Sequence, residues 1–263
     1  MTPYHSALVD AWTQFRSDSR PHLLSGDELL SERYRGRSLS VTHDSYETYV
    51  GGDDFNDRKS RILHTGLIPI PYLGDLINAK IFILMLNPGI GDHDYFAEYH
   101  YPPYRMELMQ NLRQHLNKDY PMLFLNPAYS WHGGGQYWIS RLRPFIELIV
   151  KKEKCTFREA MRVLSRSVCC LELLPYHSAS YSIPGTVLKN LRSVALIRNF
   201  VRNDLVRRAS EGRACIIAAR GNSLWGVPAS SRNVATLSSS EARRANLSIS
   251  SPAGKLIRRF LSL

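Results

Sequence analysis

Six consecutive apolar residues, Ile81-Phe82-Ile83-Leu84-Met85-Leu86, stop abruptly at Asn87-Pro88-Gly89. A run like this suits a β-strand buried on both faces, and only helices packed above and below a sheet cover a strand in that way. Val168–Leu174, closed by Pro175-Tyr176-His177-Ser178, is a second such run; Ala214–Ala219 is a third and Val234–Leu237 a fourth. Between them lie segments with helical spacing: Tyr104–Leu116, Trp138–Val150 with a kink at Pro144, Phe157–Leu164, and a long amphipathic helix over Val187–Ala209 ending near Gly212. Met122–Leu125 is a short apolar run ahead of Asn126-Pro127. The alternation predicts an α/β fold, three layers (α/β/α) around a central, mostly parallel four-stranded sheet.

The N-terminal part reads differently. Residues 4–18 have helical spacing, and a short helix starts at Ser25 with Asp27 and Glu28 in its first turn. Residues 35–60 are polar and read as irregular surface, while prolines hold Leu67–Gly74 extended. Residues 1–75 are therefore expected to be an extension packed on a core domain of residues 76–263. The chain of 263 residues is 44% hydrophobic and 22% charged, ordinary values for a soluble domain. It has no apolar run near the roughly 20 residues of a membrane helix and no signal-peptide core, so a cytoplasmic protein with no membrane partner is expected. Cys155, Cys169, Cys170 and Cys215 lack CxxC spacing and read as reduced, packed thiols, with no zinc site built on them.

Charge narrows the partners. Lys and Arg total 34 against 23 acids, a net of +11. From Arg213 onward the basic residues are Arg213, Arg220, Arg232, Arg243, Arg244, Lys255, Arg258 and Arg259, against the single acid Glu241. A surface of this sign attracts polyanions, which makes nucleic acid the default partner; the bland alternative is a protein that is merely basic.

In parallel sheets ligands bind outside the carboxyl ends of the strands. Those ends carry Asn87–Tyr95, Asn126–Gly135, Pro175–Ser178 and Arg220–Ser223, four polar turns rich in Gly, Pro and aromatic residues. They are either a pocket or simply the turns that the fold requires. Pro88 stiffens the first turn, and Gly89 and Gly91 let backbone N–H groups approach a phosphate. Tyr95, Phe96, Tyr99, Tyr101 and Tyr104 offer flat faces for a base to stack on.

With these residues in view, the sequence resembles the uracil-DNA glycosylase superfamily, above all its mismatch-specific uracil/thymine branch. Met85-Leu86-Asn87-Pro88-Gly89 stands where that branch carries Gly-Ile-Asn-Pro-Gly. His100-Tyr101-Pro102-Pro103-Tyr104-Arg105 matches an aromatic-Pro step ahead of a helix, and Cys169–Ser178 and Ala214–Trp225 look like its middle and penultimate strands. Leu237-Ser238-Ser239-Ser240 occupies the place of the second motif but lacks its His or Asn and its Pro.

The resemblance implies a cofactor-independent, metal-free and monomeric DNA glycosylase that flips out a mismatched or modified pyrimidine and hydrolyses its N-glycosidic bond, leaving an abasic site. Asn87 would position the water, with Asp92 or Asp94 as a stronger activating group if Asn87 is only structural. His177 would donate to the departing base, although a histidine in such a turn is equally often bonded to backbone. Tyr101 would be the stacking platform, with Tyr95 beside it, and Asn126 would read the base edge. Pro88, Gly89, Arg220, Ser238, Ser239, Ser240, Arg243 and Arg244 would hold DNA. Trp131–Trp138, with glycines at 133–135, has no counterpart in the family and reads as a flexible loop with aromatic flanks that either enlarges the pocket or engages DNA. An enlarged pocket suits a bulky base, in parallel with bacterial glycosylases of this superfamily that attack hypermodified phage cytosines. Two rivals stay open: a metal-dependent nuclease or phosphodiesterase using Asp92, His93, Asp94, His132 and His177, and a non-catalytic nucleic-acid-binding protein.

Overall fold

The computed structural model describes residues 2–228, 232–237, 241 and 247–263. Strands β1 (Arg33–Tyr34) and β2 (Arg37–Ser38) form a small hairpin, and β3 (Ser40–Val41) pairs in parallel with β4 (Leu63–His64). The central sheet contains β5 (Tyr72–Leu73), β6 (Ile81–Met85), β7 (Val168–Glu172), β8 (Cys215–Ala218) and β9 (Val234–Thr236), in the order β5-β7-β6-β8-β9. Four of these strands are parallel and β5 is an antiparallel edge. The sheet is therefore five-stranded and mixed, not four-stranded. The additional strand comes from the proline-bounded extended segment, where Tyr72 pairs with Leu171.

Every residue of β6, β7 and β8 is buried, as an apolar strand covered on both faces must be. Helix α1 (Pro3–Thr13) packs on α8 (Arg192–Phe200). Two short helices, α2 (Tyr46–Val50) and α3 (Asp94–His100), pack together beside α4 (Pro102–Leu112). Helix α5 (Gly133–Glu153) runs through Pro144 and pairs with α6 (Phe157–Ser165), which lies against β7. At the other end of the sheet, α9 (Val206–Ser210) and α11 (Pro252–Phe260) cover β8, and α10 (Asn222–Trp225) follows it. No described helix is long and apolar enough to cross a membrane. All four cysteines are free thiols, and Cys169, Cys170 and Cys215 are buried.

Two expected elements differ. The long helix over 187–209 is broken: α7 (Gly185–Asn190) ends at Leu191, whose φ −79°, ψ 129° is extended, and a π-turn at Val201–Leu205 separates α8 from α9. Leu191 cannot cap a helix with its side chain, so the carboxylate of Asp27 serves instead, accepting from Ser193 N at 3.1 Å. Asp27 also accepts from the Tyr176 hydroxyl at 2.6 Å, and burial pushes its carboxyl above the usual range. Asp27 thus ties the N-terminal segment to α8, and the helix expected from Ser25 is only a 3-10 turn, Glu28–Ser31.

The second difference concerns Gly133–Gly135, which form the first turn of α5 and not a flexible loop. A Cβ on Gly134 would stand 2.4 Å from the Phe124 ring, and one on Gly135 would stand 2.1 Å from the Tyr129 carbonyl oxygen. These glycines let the helix start in contact with the preceding turn. His132 caps it, its Nδ1 accepting from Gly134 N at 3.0 Å while the ring stacks between Tyr104 and Phe124.

Candidate active site

Parallel register brings the strand ends together. Met85 pairs with Glu172, so the turn starting at Asn87 emerges beside the end of β7. A cleft of about 460 Å³ opens there, within the range typical of small-molecule sites. Asn87, Pro88, Gly89, Asp94, Glu172, His177, Ser178 and Arg220 line it, and Phe124, Tyr137, Trp138 and Tyr181 supply aromatic wall.

The turn is held by its own side chains. Asn87 Nδ2 donates to Pro88 O at 2.9 Å, Ser178 Oγ at 2.9 Å and Tyr176 O at 3.3 Å. Both ring nitrogens of His177 face backbone carbonyls, Gly89 O at 2.9 Å and Ile68 O at 3.2 Å. Asp94 Oδ2 accepts from Gly91 N at 2.6 Å, and Asp94 Oδ1 lies 3.5 Å from His132 Nε2. A Cβ added to Gly89 would meet nothing within 4 Å, so that backbone faces open space.

Glu172 is the residue that motif reasoning passed over. It is 5% exposed; Cys170 Sγ donates to its Oε1 at 3.6 Å, and its Oε2 has no hydrogen-bond partner among the described residues. Burial pushes its carboxyl up to about 8, so at neutral pH it holds a proton. The Tyr137 hydroxyl, also on the cleft, is likewise buried without a partner among the described residues, and burial raises it too. The positive charge of Arg220 acts on both groups in the opposing direction. A sequence clue existed: Glu172 is the one charged residue inside the apolar run Val168–Leu174.

No family model, curated protein or solved structure matches the chain.

Of the residues singled out in the sequence, Asn87, Pro88, Gly89, His177 and Arg220 share this cleft, whereas Asp92 lines a neighbouring one. Tyr101 is not among the lining residues of either; 37% exposed, it precedes α4 with its ring edge-on to Trp131 at 5.7 Å. Tyr95 is buried against Tyr49 and Tyr99, its hydroxyl 3.3 Å from His64 Nδ1. Asn126 uses Oδ1 to accept from Ala128 N at 3.1 Å, capping a 3-10 turn over Pro127–Tyr129. Ser238, Ser239, Ser240, Arg243 and Arg244 lie outside the described residues. Of the other C-terminal basic residues, Arg213, Arg232 and Arg259 line a shallow cleft with Lys80, where β6, β8 and β9 begin, at the opposite edge of the sheet. Asp92, His93, Asp94, His132 and His177 do not converge as a ligand set; among the described residues the group that does is His43, Asp54 and His64.

Proposed function

We propose that this protein is a DNA glycosylase of the uracil-DNA glycosylase type, acting on a modified or mismatched pyrimidine and best suited to a substituted cytosine. One observation carries the reading: the Glu172 carboxyl, whose Oε2 has no partner among the described residues, lines the same aromatic cleft as the Asn87-Pro88-Gly89 turn. A protonated carboxyl offers one donor and one acceptor. That pair complements the Watson–Crick edge of cytosine, whose ring nitrogen accepts while its exocyclic amino group donates. The flipped base stacks against the walls formed by Phe124, Tyr137 and Trp138, and the remaining volume takes a substituent on the ring.

Bond cleavage needs a placed water and relief of charge on the leaving base. Asn87 Oδ1 orients the water, and the Asp94 carboxylate on the same cleft is the group able to take its proton. Developing negative charge on the base is met by the Glu172 hydroxyl and by Arg220. His177 is a positioning residue here: its ring, seated between Gly89 O and Ile68 O, holds the turn that carries Asn87.

The test is to incubate the full chain, without metal, with single- and double-stranded oligonucleotides carrying uracil, a G·T mismatch or glucosylated hydroxymethylcytosine. Alkali-labile sites and free base are then measured. Release of the modified cytosine with an intact backbone is expected. Release of uracil alone would sink the modified-base reading, and direct strand scission without free base would favour a nuclease.

A further inference from the structure

Away from the cleft, the segment from β3 to β4 gathers two imidazoles around one carboxylate. His43 follows β3, His64 ends β4, and Asp54 sits on the connection between them. His43 Nε2 lies 3.0 and 2.8 Å from the two carboxylate oxygens of Asp54, and His64 Nδ1 lies 3.6 Å from Asp54 Oδ2. One ligand atom from each residue falls within 4.8 Å of the others. Zinc held at its usual bond lengths puts tetrahedral ligand atoms roughly 3.3 Å apart, and the two imidazole–carboxylate spacings, 2.8 and 3.6 Å, lie on either side of that value.

The surroundings are built for close approach. A Cβ on Gly52 would stand 2.7 Å from Asp54 Oδ1 and 2.9 Å from His43 Cε1, and one on Gly66 would stand 2.2 Å from the His43 carbonyl oxygen. Tyr49 and Tyr95, stacked at 4.3 Å, pack edge-on against both imidazoles, and the Tyr95 hydroxyl lies 3.3 Å from His64 Nδ1. A backbone bond from His64 N to His177 O at 2.8 Å anchors the group to the turn that follows β7. The side chain of His64 is 1% exposed, so its ring is shielded from bulk water.

We infer that His43, Asp54 and His64 bind one divalent transition-metal ion of the zinc class. Two imidazoles and a carboxylate are a borderline donor set that suits zinc, cobalt or iron(II) over magnesium or calcium. Three protein ligands leave a position open, and the adjoining cleft, lined by Asp54, Asp57, Asp92 and His93, gives it access to water. That cleft shares Ile90 and Gly91 with the Asn87 cleft, so the ion would brace the turn after β6 from its outer side.

The inference does not rest on the glycosylase reading, because its readout is metal. Tag-free full-length protein is stripped with chelator, dialysed against micromolar Zn²⁺ and analysed for metal, and a parallel sample is titrated with Co²⁺ and followed by visible absorption. One zinc per chain and the intense d–d bands of low-coordinate cobalt are expected. Asp54→Asn and His64→Gln should each weaken uptake at least about 100-fold, beyond what changes outside the ligand shell usually cost, while His93→Gln should not. If a ligand variant fails to fold, the wild-type stoichiometry and spectrum still decide. Uptake well below one ion per chain overturns the inference, as does uptake insensitive to both ligand substitutions.

Discussion

Glu172→Gln isolates the buried acid in the cleft. With its carboxyl moved from the ordinary 4.5 to about 8, folded Glu172 keeps a proton that the unfolded chain loses. Stability from this group is therefore present at low pH and lost as pH rises from about 4.5 to 8, with nothing further lost above that. At about 1.4 kcal/mol per pH unit, wild-type protein should lose about 4 kcal/mol from this group between pH 5 and pH 9. Glutamine has nearly the same shape and does not titrate. Urea unfolding of both proteins at unit pH intervals gives the difference, in which Glu98, also buried and raised to about 8, cancels. The Gln variant should gain on wild type by about 4 kcal/mol across that range. A difference that stays constant within about 1 kcal/mol would show that native Glu172 is already ionised, and the base-edge role assigned to it would fall with that.

Two further substitutions probe the turn and the helix beside it. Asn87→Ala should leave DNA affinity within about twofold and lower single-turnover base release by about 100-fold or more, since a misplaced water forfeits much of the advantage of proximity; equal loss of binding would instead make Asn87 a scaffold residue. Gly134→Ala puts a methyl against the Phe124 ring. It should cost about 1–3 kcal/mol in overpacking, read as a lower thermal midpoint, and an unchanged midpoint would show that the first turn of α5 is loosely packed.

What the sequence revealed, and what it hid, follows from the range of each interaction. The buried strands were legible because a continuous apolar run needs no knowledge of its neighbours, and Asn87 could be located because its turn closes one. Gly133–Gly135 were misread as a loop because their constraint is the Phe124 ring, brought close only by packing. The break at Leu191 has no local Gly or Pro to announce it; its cap is Asp27, from the other end of the chain. Glu172 was visible as a lone charge in a strand, but no motif rule weighs a single carboxylate. The opposite failure befell the C-terminal charge, whose sign was plain while its distribution over two edges of the sheet was not. His43 and Asp54 lay inside a stretch that looked like irregular surface, with His64 just beyond it, at spacings no ligand motif uses.

The strand order also sets a timetable. β6 lies at the centre of the sheet, yet its partners enter the chain much later: Ile81 pairs with Val168 on one side and with Cys215 on the other. A ribosome therefore releases the most apolar segment of the protein long before either neighbour exists. Closing such distant pairs is slow, and an unpaired apolar edge invites association between chains in the interval. Recovery of soluble protein should accordingly depend on growth temperature and chaperone supply even if the finished fold is stable. The buried central strand that organises the site is thus a segment that its own synthesis leaves unpaired for a long interval.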